Sequence, residues 1–489
     1  MEQFFQLIDG QFEAGEESFE SCDPATGSPW ARMPLAGEGD VERAVAAATR
    51  ALHDPAWCDL TPTARGKLLY HLADLVAENA GELARLETRD TGKIIRETTA
   101  QVGYAAEFFR YYAGLADKLE GRHLPIDKPD MQVWTRREPI GAVAAIVPWN
   151  SQIFLAAVKL GPALAAGCPV ILKASEAGPA PLLHLGTLMH EAGFPPGSIN
   201  VLTGYGEPCG HALTAHPKIA RVAFTGGPET ARRVVANTAE NLAVTTLELG
   251  GKSPVVVFED ADLESAANSI VAGIFGATGQ SCVAGARLIV SEQVREALLG
   301  LLVEKASRIV IGPPDDMATE VGPLCTETQR TRIEETLARS LDQGARIVCG
   351  GGRPVGHDDG IYFSPTIVMC PNAEIACARE ELFGPVLSVL SFADEAEAVR
   401  LANDTPYGLA SGVFTANVSR AHRMIAAIRA GIVWVNTYRA ISPVAPFGGF
   451  GQSGYGRESG AEAILDYTRT KTVWVRTSDE PIPDPFVMR

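Results

Sequence analysis

At 489 residues the chain is too long for one ordinary hydrophobic core, so two or more packed domains are expected. Hydrophobic residues make up 46% and charged residues 21%, the balance of a soluble globular protein. A net charge of −17, from 42 Lys+Arg against 59 Asp+Glu, argues against a nucleic-acid surface and against binding to anionic membranes.

Nine cysteines are present: Cys22, Cys58, Cys168, Cys209, Cys282, Cys325, Cys349, Cys370 and Cys377. Their number is odd and no two stand in a C-x-x-C, so neither a disulfide framework nor a metal site is expected, and a reducing cytoplasm fits best. The opening Met1-Glu2-Gln3-Phe4-Phe5 has no basic stretch followed by a long apolar one, so no secretion signal is read.

To about Arg32 the chain is short-patterned and punctuated by Asp23-Pro24-Ala25-Thr26-Gly27, a hairpin-like lead-in. From Val41 to about Leu119 the apolar spacing is helical, with Val45, Ala48 and Leu52, then Leu68, Leu72, Leu75 and Val76. Tyr104, Phe108, Phe109, Tyr111 and Tyr112 continue it and read as helix core rather than a cofactor box. From Gly141 short β-branched runs alternate with helices. Strands are expected at Val143 to Val147, Pro169 to Lys173, Ile199 to Leu202 and Arg221 to Phe224, with helices at Ile153 to Ala166 and Ala180 to Ala192. Such alternation predicts a parallel sheet with crossover helices. The long apolar region 153–172 is broken by Lys159, Gly161, Pro162, Gly167 and Pro169, which suits a buried helix and strand and not a membrane span. A second alternating region runs through Pro254 to Phe258, Arg287 to Val290 and Ile432 to Asn436. Met131 to Glu138 and Thr470 to Arg476 alternate with period 2, as edge strands or as a separate two-segment arm.

Two neighbourhoods carry chemistry. Leu247-Glu248-Leu249-Gly250-Gly251-Lys252-Ser253-Pro254 sets a carboxylate among apolar residues and glycines. Gly279-Gln280-Ser281-Cys282-Val283-Ala284-Gly285-Ala286 sets a thiol in a small-residue turn that a substrate can reach. Together they suggest a covalent thiol mechanism with a carboxylate base. In order and spacing, 34 residues from Glu248 to Cys282, they resemble the two signature segments of the aldehyde dehydrogenase superfamily.

The resemblance covers nearly the whole chain and implies an α/β fold in three parts. Residues 1–119 and 140–250 would form a Rossmann-like NAD-binding domain, 251–450 an α/β catalytic domain, and 120–139 with 467–489 a small β arm for oligomerisation. It implies a homodimer or a dimer-of-dimers homotetramer. It implies NAD as cofactor, with NADP less favoured, and a small-molecule aldehyde as substrate.

No G-x-G-x-x-G follows the first strand, so the ordinary dinucleotide fingerprint is missing. The first turn reads Val147-Pro148-Trp149-Asn150, and ligands in open α/β sheets still bind beyond the carboxyl ends of strands. Lys173-Ala174-Ser175-Glu176 resembles the family's K-x-x-E: Glu176 would accept hydrogen bonds from the adenosine ribose and repel a 2′-phosphate, and Lys173 would reach the same ribose. Without the family, a solvated Lys/Glu pair explains these two as well. Phe224-Thr225-Gly226-Gly227-Pro228-Glu229 opens a helix whose N-terminus suits pyrophosphate, although the family usually has Ser where Gly227 stands. Glu381-Leu382-Phe383-Gly384-Pro385 resembles E-x-F-G-P, in which the Glu holds the nicotinamide ribose and the Phe packs near the nicotinamide. Gly206, Ser175 and Leu249 complete the implied cofactor set.

By the same resemblance Cys282 is the nucleophile, and Asn150 with the Cys282 backbone N–H would hold the oxyanion. Glu248 would activate water to hydrolyse the thioester, a residue that coenzyme-A-acylating relatives often lack. A thiol esterase or acyl transferase using Cys282, and a non-catalytic protein keeping the fold, are the alternatives. Many relatives have Pro where Gln152 stands and a bulky aromatic where Val158 stands, which suggests a wider tunnel with Gln152 as a polar handle. Ser281, Val283, Tyr438, Arg439, Ile441 and Phe447 are the other expected tunnel residues, and Arg439 could meet an anionic substrate end or be solvated.

Overall fold

In the computed structural model, residues 1–487 are described. Residues 488–489, the last of the expected arm segment 467–489, lie outside the described residues.

Helices fill the first hundred residues after the lead-in: Glu38–Ala51, Pro62–Glu78, Ala80–Thr91 and Ile95–Leu115. Their apolar faces pack on the first large sheet, and Leu69, Leu72, Val102, Phe108, Phe109 and Tyr112 are buried there. Phe108, Phe109 and Tyr112 of the aromatic stripe are core, Tyr111 is half-buried against it, and Tyr104 is exposed. The lead-in is more elaborate than one hairpin. Gln6–Ile8 and Gln11–Glu13 turn at Asp9-Gly10, with φ of 54° and 76°, the left-handed pair that a tight two-residue hairpin requires. They add to the far edge of the first sheet, while Glu17–Cys22, Pro29–Leu35 and Glu2–Gln3 form a small sheet of their own.

The first sheet has eight strands in the order Gly454–Tyr455, Val244–Leu249, Ile219–Gly226, Ala142–Ile146, Val170–Ala174, Ile199–Thr203, Gln6–Ile8 and Gln11–Glu13. Val244–Leu249 through Ile199–Thr203 are mutually parallel. Their near-continuous burial is what a sheet covered on both faces demands. From Ala142–Ile146 the chain steps to one side through Val170–Ala174 and Ile199–Thr203, then returns to the other side at Ile219–Gly226. Strand order therefore reverses between Ala142–Ile146 and Ile219–Gly226, and a crevice opens outside their carboxyl ends.

The second sheet has seven strands: Arg346–Cys349, Thr366–Met369, Val386–Phe392, Arg287–Ser291, Pro254–Val257, Ala410–Phe414 and Ile432–Val435. Val386–Phe392 and Ala410–Phe414 carry no marked strand pattern in the sequence, because serines and a glycine interrupt them. Ser388 is buried and donates to the Cys377 carbonyl at 2.6 Å, so a polar residue sits mid-strand without penalty. The two period-2 segments are not edges of either large sheet. Met131–Pro139 pairs antiparallel with Thr468–Arg476 along its whole length, from Met131 opposite Arg476 to Pro139 opposite Thr468, and His123–Leu124 completes this third sheet. No helix among the described residues is long and apolar enough to cross a membrane.

Candidate active site

Cys282 follows a turn that is costly to make. Ala277 and Thr278 have φ of 52° and 53°, a left-handed conformation worth about 1–3 kcal/mol of strain at each non-glycine residue. The surroundings hold it. The Ala277 N–H donates to both Glu97 carboxylate oxygens at 2.8 and 3.0 Å, the Thr278 hydroxyl donates to the Gly322 carbonyl at 3.1 Å, and Gln280 Oε1 accepts from the Cys325 N–H at 2.9 Å. Gly279 lies against the Gly384-Pro385 backbone where a Cβ would overlap it, so the thiol segment and the Glu381-Leu382-Phe383-Gly384-Pro385 segment are packed together. Gly251 lets the Cys282 carbonyl approach the other motif; a Cβ there would stand 3.1 Å from that oxygen.

Cys282, Asn150 and Glu248 line one cavity of about 240 Å³. Asn150 follows the strand Ala142–Ile146 and is 8% exposed. Its side-chain amide donates one hydrogen to the Gln280 carbonyl at 3.1 Å, and the second is available to the cavity. Lys93, which the sequence reading passed over, fixes its backbone. The Lys93 ammonium donates to the Asn150 carbonyl, to Ser151 Oγ at 2.9 Å and to Gln101 Oε1 at 2.9 Å, and pairs with buried Glu87 at 3.5 Å.

Glu248 stands on the strand Val244–Leu249, opposite Thr225 on one side and Gly454 on the other. It is 3% exposed, and neither carboxylate oxygen has a hydrogen-bond partner. Burial raises its pKa well above the carboxylate range, and the nearby charge of Glu458 raises it further against the pull of Lys159 and Arg457. Lys159 and Glu458 form a buried ion pair. Lys159 had one sequence signal, a charge inside an otherwise apolar helix, Gln152–Ala166. The thiol of Cys282 is pushed up to about 12, first by burial and then by Glu381 and Glu248, with Arg439 and the Val283 N–H opposing. A neutral thiol and a carboxyl of raised pKa in one cavity are the groups that a nucleophile and its base would require.

A second cavity, of about 250 Å³, opens at the strand-order reversal. It gathers Val147, Pro148, Lys173, Ser175, Glu176, Gly206, Phe224 and Thr225. Lys173 is buried, and burial lowers its pKa against the opposing charges of Cys209 and Glu176. Thr225 lines both cavities, and its buried hydroxyl has no partner, so an extended ligand passing from one to the other would find a waiting hydrogen bond. Gly226 and Gly227 precede the helix Pro228–Asn241, and a Cβ on Gly227 would meet nothing within 4 Å. The Trp149 and Phe383 rings meet edge-to-face at 5.4 Å. Leu249 lines the cysteine cavity. Gly251 donates its N–H to Glu381 at 3.0 Å, and a Cβ on Gly250 would overlap the Glu381 carboxylate. Burial lifts that carboxyl to about 7, opposed by the Gly251 N–H, Lys252 and Arg332.

Val158, Ser281, Val283, Arg439, Ile441 and Phe447 line the cysteine cavity, joined by Tyr104, Phe108 and Phe154. Gln152 does not, which corrects the expected polar handle. It opens the helix with its side chain turned away from the cavity, fully buried, donating to the Gly178 carbonyl. Tyr438 is also off the wall: its hydroxyl donates to the Val283 carbonyl at 2.9 Å and supports the Cys282 segment from behind. Among the described residues no group of His, Cys, Asp and Glu is placed to hold a metal ion.

The model of the Aldehyde dehydrogenase family matches residues 12–473. The (Z)-2-((N-methylformamido)methylene)-5-hydroxybutyrolactone dehydrogenase of Acinetobacter baylyi is 60% identical over 490 residues, covering 100% of both chains. The betaine aldehyde dehydrogenase of Sinorhizobium fredii is 42% identical over 474 residues, 96% of each chain. The crystal structure of PnpE, a protein of Pseudomonas sp. WBC-3, in complex with nicotinamide adenine dinucleotide is 42% identical with a TM-score of 0.96, covering 99% of each chain.

Proposed function

This chain belongs to the aldehyde dehydrogenase family, and from that premise we propose that it oxidises an aldehyde to the acid through a thioester on Cys282 that water, activated by Glu248, releases. It is an NAD-dependent aldehyde dehydrogenase by class. The observation that carries the hydrolytic mechanism is the sharing of one cavity by Cys282, Asn150 and Glu248.

The residues fit the cofactor: an orphan Thr225 hydroxyl facing both cavities, and a buried lysine beside Glu176. Lys173, Ser175 and Glu176 would hold the adenosine end, with Val147, Pro148, Gly206 and Phe224 about it, and Trp149 would stand with Phe383 toward the nicotinamide end. Thr225, Gly226 and Gly227 would face the pyrophosphate, and Leu249, Glu381 and Phe383 the nicotinamide end. NAD⁺, when bound, supplies the hydride acceptor.

The chain's own residues do the rest. Glu248 removes the proton from Cys282, and the thiolate adds to the aldehyde carbon. The new oxyanion accepts hydrogen bonds from the free Asn150 amide hydrogen and the Cys282 N–H, donors worth roughly 2.7–4 kcal/mol each when preorganised. After oxidation the acyl group stays on Cys282 as a thioester. Glu248 passes the thiol's proton on to solvent and, ionised again, takes a proton from water as the water attacks that carbonyl; the C–S bond breaks, that proton goes to the leaving sulfur, and the thiol is restored as the carboxylic acid departs.

The arm sheet leaves Trp474 and Val475 about half exposed, 55% and 40%, which supports its use between subunits of a dimer or tetramer. The nine cysteines are free thiols, in keeping with a cytoplasmic protein.

The test is a panel of aldehydes with purified protein and NAD, following NADH absorbance. A rise with at least one aldehyde, matched by free acid, is expected, and no rise with any would refute the reading. Cofactor choice rests on Glu176. kcat/KM is expected to be higher with NAD than with NADP, and Glu176→Gln should narrow the ratio by about tenfold, the worth of one charge-assisted hydrogen bond at a part-exposed site. An unchanged ratio in that variant would remove Glu176 from the adenosine site.

A further inference from the structure

Arg439 is the one Lys or Arg among the residues lining the cysteine cavity. Phe108, Phe154 and Phe447 give the wall apolar surface, and Gln101, Ser281 and Ser442 are polar but uncharged. The other charged residues on the wall are Glu248 and Glu458, and Glu458 is engaged by Lys159. Glu97, which also lies against Gly276, directs both its oxygens to the Ala277 N–H. Among the described residues Arg439 makes no ion pair; its guanidinium spends one donor, Nη1, on the Ala272 carbonyl at 2.9 Å.

This is a seated side chain, unlike an arginine waving in solvent. Its backbone has φ 62°, a conformation that non-glycine residues adopt only when the surroundings impose it. The surroundings are visible. Asn436 is tied to Thr415 by two bonds of 3.0 Å, and Tyr438 is held between the Val283 carbonyl at 2.9 Å and the Trp434 ring at 4.8 Å. The guanidinium lies on Gly276, where a Cβ would come within 2.5 Å of Nη1. Gly276 begins the turn that leads to Cys282. The cation is thus fixed to the same framework as the nucleophile, with most of its planar donor fork unused.

We infer that Arg439 selects aldehydes with a carboxylate at the other end, oxo acids whose anion takes the free edge of the guanidinium while the aldehyde reaches Cys282. The inference rests on the aldehyde-oxidising role proposed above and names its substrate class. A planar guanidinium matches a carboxylate in geometry, and one already held in place loses little freedom on binding.

The test compares acids and neutral aldehydes of equal length: 4-oxobutanoate, 5-oxopentanoate and 6-oxohexanoate against butanal, pentanal and hexanal, at saturating NAD. At the best length, kcat/KM for the oxo acid is expected to exceed that for its neutral partner at least tenfold. In Arg439→Gln that ratio should fall at least tenfold, and in Arg439→Lys it should lie between, since the charge survives without the fork. A wild-type preference for the neutral aldehyde at every length would overturn the proposal. So would an Arg439→Gln protein in which both substrates slow together and the ratio stands, because that would place the cation's effect on the thiol. Oxidation of the neutral aldehydes alone leaves the dehydrogenase reading intact while this one falls, and oxidation of neither class removes both.

Discussion

Cys282→Ala is expected to lose aldehyde oxidation by roughly 10⁴-fold or more, since removing a covalent nucleophile removes the whole bond-making route. The substitution is small and the site tolerant: Cys282 is only partly buried, on a turn whose conformation is set by Glu97, Gly322 and Cys325 and not by the thiol itself. The second cavity, with Lys173 and Glu176, contains no part of Cys282, so NAD affinity measured by calorimetry or NADH fluorescence should change less than about threefold, within the range of an ordinary surface change. Cys325 supplies a control, because it is buried, faces the Ala177 carbonyl at 3.2 Å and lines neither cavity. Retained activity in Cys282→Ala would move the nucleophile elsewhere.

Glu248→Gln should separate the two halves of the reaction. The amide keeps the shape but cannot act as a base, so deacylation should slow by about 10²–10⁴-fold, the usual contribution of a positioned base. Rapid mixing should then show a burst of NADH near one equivalent per site and a depressed steady rate, with an acyl adduct on Cys282 in the intact mass. Because Glu248 also takes the proton of the thiol, the burst should be slower than in wild type, and its amplitude shrinks as acylation slows toward deacylation. The pH profile gives a second reading. Glu248 works as a base only when ionised, and burial with Glu458 nearby raises its pKa. The wild-type rate should therefore fall as pH drops through that raised value, and this acid limb should disappear in Glu248→Gln. A variant with the wild-type steady rate would exclude Glu248 from deacylation.

Much of this site could be read from local sequence, because its key residues sit in turns whose chemistry is local. Gly250 and Gly279 are required by close approaches that a Cβ would block, and both lie in the segments around Glu248 and Cys282. The central parallel strands were legible for a similar reason, as short apolar runs between turn residues. What escaped depends on the fold. Lys159 and Glu458 are 299 residues apart in the chain, and only packing brings them beside Glu248. Lys93 looks like any polar residue after a helix until its ammonium is found under the Asn150 carbonyl. Gln152 misled because its position, two residues after Asn150, says nothing about which way a helix's first side chain turns, and it turns to Gly178. The second sheet's middle strands were obscured by buried serines such as Ser388 and Ser411, which periodicity scores as exposed.

The fate of the thioester tests the central claim most directly. Wild-type enzyme is mixed with NAD and a good aldehyde in the absence of coenzyme A, and both NADH and free acid are measured over many turnovers. The expected result is one acid for each NADH, with no effect of added coenzyme A on the products. Turnover that stops after about one NADH per site and resumes only with coenzyme A, yielding acyl-CoA in place of the acid, would contradict it.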